Sequence, residues 1–386
     1  MTCKTQLKIL MVSPFFRPNI GGVETHLSDL TNYLSKNGHK VFVMTYQPLT
    51  VKVKAPSAEK RRNLEIYRIK WFGYNWFYKL EPYPPLELLY LAPGLLFYSF
   101  FFMLLHREID VIHTHGFVAS FVGKLLKVVL RKSAVASVHT TYNLDTRPVL
   151  GRIFAWILNS FDRVLVVSDN VKYELMRYGL DPKKVVVFTY WANQGVFRSL
   201  DKDECKKMVG WGDKFVVLFV GRLIEIKGAH VLVKAARMID GNIHFAFITT
   251  GTYEDFLKIA GGRLSRNITH IGSVDYSKLN LYYNAADVLA VPSQYVEGFA
   301  RVPLEAMLCG TPVLASNVGL LPEVVKSDVG ELIDPPTPEE FARKITYYYK
   351  NPKKLRNLSE NCVRYARKRF TTDNAKVIEK EYLVKT

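Results

Sequence analysis

The amino-acid sequence predicts an α/β protein built as two Rossmann-like, doubly wound domains. Three observations lead there. Apolar runs of strand length alternate with amphipathic helical stretches through the first half, the pattern of a parallel sheet with helical crossovers. Around Tyr190–Leu200 that pattern breaks, then restarts with a buried run at Lys214–Val220, so a second sheet begins there. The 386 residues give room for two domains of ordinary size, each with its own core.

The first strand is Leu7–Val12. A helix over Gly22–Asn37 follows, with Val23, Leu27, Leu30 and Leu34 at helical spacing and Gly38 to end it. Further strands are expected at Val41–Thr45, Leu64–Ile69, Val111-Ile112, Ala134–Val138, Arg163–Val167 and Val185–Phe188. In the second half, Lys214–Val220 leads through Gly221-Arg222 into a helix from about Gly228 to Met238. His244–Thr249, His270-Ile271, Val288–Val291 and Pro312–Ala315 supply more strands, and Pro335-Pro336-Thr337-Pro338 opens a final helical region.

One segment stands apart. Leu88–Leu105 is eighteen uncharged, mostly apolar residues, the length of a membrane span. Pro93-Gly94 interrupts it, and it lies between strands of one sheet, which argues against crossing a bilayer. Two readings stay open: a pair of buried helices, or a shallow dip into a membrane.

Hydrophobic content of 48% with 23% charged residues is that of a globular chain. Cys3, Cys205, Cys309 and Cys362 have no paired spacing, so neither a disulfide framework nor a zinc knuckle is indicated and a reducing compartment fits. The strand at Leu7–Val12 leaves no room for a secretory leader before it, so secretion is not expected. The formal charge of +18 is uneven: residues 1–193 hold 25 Lys and Arg against 13 Asp and Glu. Such a field attracts nucleic acid, an anionic membrane or an anionic substrate, and equally describes a solvated basic surface. No helix-turn-helix, aromatic RNA-binding run or Cys/His finger is present, so nucleic acid is not an expected partner.

The densest pattern is Glu297-Gly-Phe-Ala-Arg-Val-Pro-Leu-Glu305. A loop turns into a helix here, with Pro303 tolerated in its first turn. Amides at Phe299, Ala300 and Arg301 would face outward at the helix N-terminus, an anion site. Two carboxylates around an anion site suit a ligand with hydroxyls at both ends and a diphosphate between. A capped helix with two solvated glutamates has the same pattern. In Val220-Gly221-Arg222-Leu-Ile-Glu-Ile-Lys227-Gly228, a strand delivers two cations that can clamp two phosphates, or that are simply solvated.

Gly21-Gly22 join the first strand to its helix and let backbone approach a ligand, or merely allow a tight turn. His139 ends a strand, where ligands of such sheets bind and where a satisfied structural imidazole also occurs. His113 and His115 form an H-x-H without an acidic or thiol partner nearby in sequence, so no metal site is expected. Asp201-Lys-Asp203 is a formal D-x-D, but it lies in a polar stretch rather than at a strand end and is read as unrelated to metal.

The flanking grammar of these motifs, Gly-Phe before the helix, Glu-Ala within it and Gly310-Thr-Pro312 after it, resembles retaining glycosyltransferase family 4, across nearly the whole chain. The opening Pro14–His26 is similar to the branch of that family that transfers N-acetylglucosamine in glycolipid-anchor synthesis. The resemblance implies the glycosyltransferase B fold, two Rossmann-like domains facing across a cleft. Residues 1–193 would bind acceptor, residues 194–369 the nucleotide-sugar, and a tail at 370–386 would pack back on the first domain. It implies transfer of a hexose or N-acetylhexosamine to a lipid-linked or glycan acceptor, with no cofactor and no metal.

By the same resemblance, Arg222 and Lys227 clamp the diphosphate, Glu297 holds the donor sugar and Glu305 the ribose. Gly22, Gly251, Val274, Gly298, Phe299, Ala300 and Arg301 complete the donor side. His139 stands near the reacting sugar, with Gly21, Gly22 and His115 toward the acceptor. A cytoplasmic protein, peripheral on the inner membrane face, is expected. Ala300 replaces a common glycine, and Tyr190-Trp-Ala-Asn193-Gln-Gly departs from the family's usual linker. The alternatives are a nucleotide-sugar epimerase on the same fold and a non-catalytic basic protein that binds membrane or nucleic acid.

Overall fold

The computed structural model describes residues 6–383 except Glu81, Asp240, Val296 and Glu297. Contacts divide the chain into two compact units, Met1–Tyr190 with Thr372–Thr386, and Trp191–Thr371.

Among the described residues the first unit holds an eight-stranded sheet of β1 (Lys8–Val12), β2 (Lys40–Tyr46), β3 (Ala58–Arg61), β4 (Leu64–Ile69), β5 (Val111–His115), β6 (Ser133–Val138), β7 (Arg163–Val166) and β8 (Val185–Val187). Its order is β3-β4-β2-β1-β5-β6-β7-β8. Ile9 of β1 lies opposite Val41 on one side and Val111 on the other, both in parallel register. The direction of winding reverses between β1 and β5, which makes that point the mouth for ligands. Strand β3 is an antiparallel edge that the sequence pattern did not reveal: Ala-Glu-Lys-Arg is mostly exposed and has no buried face to create an apolar run.

The helix Gly22–Lys36 buries His26, Leu27, Leu30, Thr31 and Leu34 at helical spacing. The tail helix Asp373–Glu381 packs against it. Tail residue Glu379 accepts from the Tyr33 hydroxyl at 2.8 Å and pairs with His39 Nε2 at 2.9 Å, while Glu381 pairs with Arg163 at 3.0 Å. The His39 proton must sit on Nε2, because Nδ1 accepts from the Leu7 N–H.

The Leu88–Leu105 segment is not a pair of helices. It belongs to one helix, Pro84–Leu105, with Pro93 inside. Proline leaves a gap in the hydrogen-bond ladder, and the Tyr46 hydroxyl enters just beyond it, donating to Leu91 O at 2.5 Å and accepting from the Leu95 N–H at 2.9 Å. Gly94 makes room, since a Cβ there would come within 2.5 Å of that hydroxyl. The helix is long and apolar enough to cross a membrane, at a mean hydropathy of 2.0, yet it connects two strands of one sheet.

The second unit, among its described residues, holds a parallel sheet of β9 (Phe215–Arg222), β10 (Ile243–Thr250), β11 (Ile268–Gly272), β12 (Val288–Val291), β13 (Val313–Ser316) and β14 (Gly330–Ile333). The order β11-β10-β9-β12-β13-β14 puts its switch point between β9 and β12. Phe219, Leu232, Phe247, Phe256 and Phe341 fill the core on one side. Asp201 of the D-x-D is an N-cap: its carboxylate accepts from the Glu204 N–H at 2.9 Å at the start of helix Lys202–Met208.

Candidate active site

In the second unit, β9 ends at Arg222, half-buried, and a single helical turn, Glu225–Lys227, follows. Gly228 closes that turn at φ +69°, where a Cβ would meet the Pro292 carbonyl oxygen at 1.8 Å. Only glycine fits there. The close approach ties the turn to the loop after β12, and the Gln294 N–H donates to Ile226 O at 2.9 Å. The Lys227 stem passes Gly221, whose position would put a Cβ 4.0 Å from Lys227 Cγ. Both cations therefore sit at the switch point, fastened to the chain that leads into helix Arg301–Leu308. That helix starts after Ala300 with no side-chain cap, and its first N–H groups lack intrahelical acceptors.

Glu305 is buried inside this helix, 4% exposed. Its carboxylate accepts from Tyr276 at 3.1 Å and from Tyr283 at 3.0 Å, with Arg301 Nε at 3.6 Å. Arg301 also donates to the Tyr276 hydroxyl at 3.2 Å. Burial, reinforced by the Glu305 charge, pushes the Tyr283 hydroxyl well above its usual range, so it stays protonated and donates. Gly251, at φ +148°, brings the loop after β10 against Leu223, where a Cβ would lie 2.9 Å from Leu223 Cδ1. Gly272 ends β11 at φ +80°, and Val274 beyond it is half-buried. Gly298, Phe299 and Ala300 precede the helix, whereas Glu297 lies outside the described residues.

The first unit gathers a different set of groups at its strand ends. His113 and His115 on β5, His139 just after β6 and His26 of the first helix are all buried. His139 shares one ring nitrogen with the Tyr190 hydroxyl at 2.8 Å and the other with His115 Nδ1 at 3.1 Å. His113 bonds the Tyr382 hydroxyl and Ser137 Oγ, each at 2.7 Å, and its ring lies 4.1 Å from that of His115. His26 stacks on Tyr190 at 4.1 Å. Burial holds His113 and His139 down to about 3 and His115 well below its ordinary value, so all three are neutral at physiological pH. His115 Nε2 is buried with no hydrogen-bond partner among the described residues. Gly21 is the N-cap of the helix Gly22–Lys36, in extended conformation, and a Cβ on it would press within 2.2 Å of the Glu24 carboxylate.

Residues 20–189 match the model of Glycosyltransferase Family 4, and residues 201–369 that of Glycosyl transferases group 1. The chain is a family 4-like glycosyltransferase of the B fold. An uncharacterized glycosyltransferase of Methanocaldococcus jannaschii is 29% identical over 356 residues, 87% of each chain. The GPI3 subunit of phosphatidylinositol N-acetylglucosaminyltransferase from Saccharomyces cerevisiae is 24% identical over 334 residues, 83% of this chain and 70% of that one. Among solved structures, Anabaena HepE in complex with UDP-glucose superposes with a TM-score of 0.77 at 21% identity, covering 97% of this chain and 99% of that one.

In this glycosyltransferase the structure brings His115 and His139 into one hydrogen-bonded group, and sets Arg222 and Lys227 at the end of β9 and in the turn that follows it. Sequence reading missed the residues that hold the histidines and Glu305. Tyr190, Ser137 and Tyr382 in the first unit, and Tyr276 and Tyr283 in the second, are tyrosines and a serine with no distinguishing spacing. Tyr382 meets His113 across 269 positions of sequence.

Proposed function

We propose that the chain transfers a hexose or N-acetylhexosamine from a nucleoside-diphosphate sugar to a lipid-linked or glycan acceptor, keeping the anomeric configuration and using no metal ion. One observation carries this reading: the turn bearing Lys227 is hydrogen-bonded to the loop that leads into helix Arg301–Leu308, beside Arg222 at the switch point of β9 and β12. Two cations and a helix N-terminus converging on one corner suit a departing diphosphate, whose charge grows as the glycosidic bond breaks. Charge stabilisation by these groups takes the place of a metal. The UDP-glucose complex of HepE supports a uridine diphosphate donor.

Glu305 would hold the donor ribose, with Tyr276, Tyr283 and Arg301 fixing its carboxylate in one rotamer. Glu297 would meet the donor sugar. In the first unit, His139 would line the acceptor side as a neutral imidazole, its two ring nitrogens bonded to Tyr190 and His115. The yeast phosphatidylinositol N-acetylglucosaminyltransferase relative supports a lipid acceptor. A lipid acceptor in turn fits a cytoplasmic protein held at an anionic membrane surface by the basic first unit.

A thermal-shift screen with uridine, guanosine and adenosine diphosphates in EDTA tests the donor side. One of them should raise the melting temperature by mass action. No shift with any of the three, or a shift that needs magnesium, contradicts the clamp.

A further inference from the structure

We propose that the outer face of three neighbouring helices in the first unit, Pro84–Leu105, Phe117–Leu130 and Pro148–Leu158, is the surface that seats in an anionic lipid bilayer. The inference deepens the membrane association proposed above and rests on it. Three crossovers, β4 to β5, β5 to β6 and β6 to β7, run in the same direction along the sheet. Right-handed connection therefore puts their helices on one face, and the first packs on the second and the second on the third. The tail helix packs on Gly22–Lys36, whose crossover from β1 to β2 runs the other way, so the tail leaves this face uncovered.

A helix covering a sheet normally turns a polar side outward. These do not. Along Pro84–Leu105, exposure recurs at every fourth residue, Leu89, Pro93, Phe97, Phe101 and Leu105, with Leu89 72% and Leu105 82% exposed. Along Pro148–Leu158 the outward row is Val149, Ile153 and Trp156, and Trp156 is 62% exposed. Val128 and Val129 close the middle helix with both side chains outward. A contiguous apolar surface of this kind marks an interaction site.

Charge decides the occupant. The middle helix and Pro148–Leu158 carry Lys124, Lys127 and Arg152 and no acidic residue, with Lys127 paired to Asp162. Arg107, Arg131, Lys132 and Arg147 outnumber Glu108 and Asp145 where the helices end, and Glu87 lies in the first turn of Pro84–Leu105. The Lys124 ammonium lies over the face of the Trp156 ring, so a cation sits within the apolar row itself. Apolar rows edged by basic groups match acyl chains beneath anionic headgroups. A second copy of this face would set like charges against one another.

Flotation of the full chain with phosphatidylcholine vesicles, with and without phosphatidylglycerol, tests this. The unaltered protein should float with the anionic vesicles and release in high salt. Ile153→Glu with Trp156→Glu, and separately Phe97→Glu with Phe101→Glu, should each weaken binding roughly tenfold or more while leaving transfer to a water-soluble acceptor unchanged. In the unaltered chain, lipids brominated near the headgroup should quench Trp156, identified by the quenching lost in Trp156→Phe. Anionic binding that neither pair of substitutions weakens, with no quenching at Trp156, overturns this face and leaves the membrane reading standing. Absence of binding to either vesicle overturns both, and leaves the donor-side reading to its own test. A dimer in solution that the same substitutions dissociate assigns the face to a second copy and overturns the proposal.

Discussion

The two units share a doubly wound architecture and place opposite chemistry at their switch points. The first gathers four buried imidazoles and two tyrosine hydroxyls, with His113, His115 and His139 held neutral. The second sets Arg222 and Lys227, half-buried, after β9, in a segment hydrogen-bonded to the loop that follows β12. A neutral polar network suits uncharged hydroxyls and moves no net charge, whereas half-buried cations suit a ligand whose charge changes. The same fold thus carries two sets of groups that differ in their chemistry.

The largest effect that would break this contrast is on the charged side. Lys227→Ala should lower kcat by about two to three orders of magnitude, as loss of other preorganised charge stabilisers does. Unchanged kcat with a raised KM would make Lys227 a ground-state contact. Glu305→Gln should act differently: the ribose does not change during reaction, so donor KM should rise roughly tenfold with kcat within a few-fold. Steady-state kinetics on both variants separates the two roles.

Stability against pH sharpens the comparison next. His113 and His139 titrate near 3 in the folded unit against an ordinary 6.5, so between those values the unfolded chain binds more protons. Their stabilising effect is complete above about pH 6.5 and is lost as pH falls toward 3, at up to about 1.4 kcal/mol per histidine per pH unit. Urea unfolding between pH 7.5 and 5 should show the first unit weakening, and His113→Asn should flatten the slope. The smallest expected effect is that of Tyr382→Phe, which removes the tail's hydroxyl from His113 and keeps the ring. It should cost about 1 kcal/mol of first-unit stability, read as a lower urea midpoint, and leave donor KM unchanged.

Much of this was legible in the sequence, for a physical reason. Buried parallel strands read as apolar runs, so β1, β2, β4 and β9 were found within a residue or two. The turn after β9 was legible because two cations flanked by Gly221 and Gly228 follow a buried strand. Exposed or non-local features were not. The polar edge strand β3 has no apolar run, and nothing local shows that Tyr46, nearly fifty residues earlier, enters the ladder of the helix through Pro93. Sequence spacing gave no sign that Tyr190 and Tyr382, far apart in the chain, both end on the histidine group.

On the proposed reading, Arg222 and Lys227 of the second unit hold the nucleoside diphosphate without metal. Calorimetric titration of UDP into the protein in excess EDTA tests it most directly, with Lys227→Ala and His139→Ala measured alongside. Binding should persist in EDTA, fall at least tenfold in Lys227→Ala, and stay unchanged in His139→Ala. Binding that disappears with EDTA, or that His139→Ala weakens as much as Lys227→Ala does, would contradict the account.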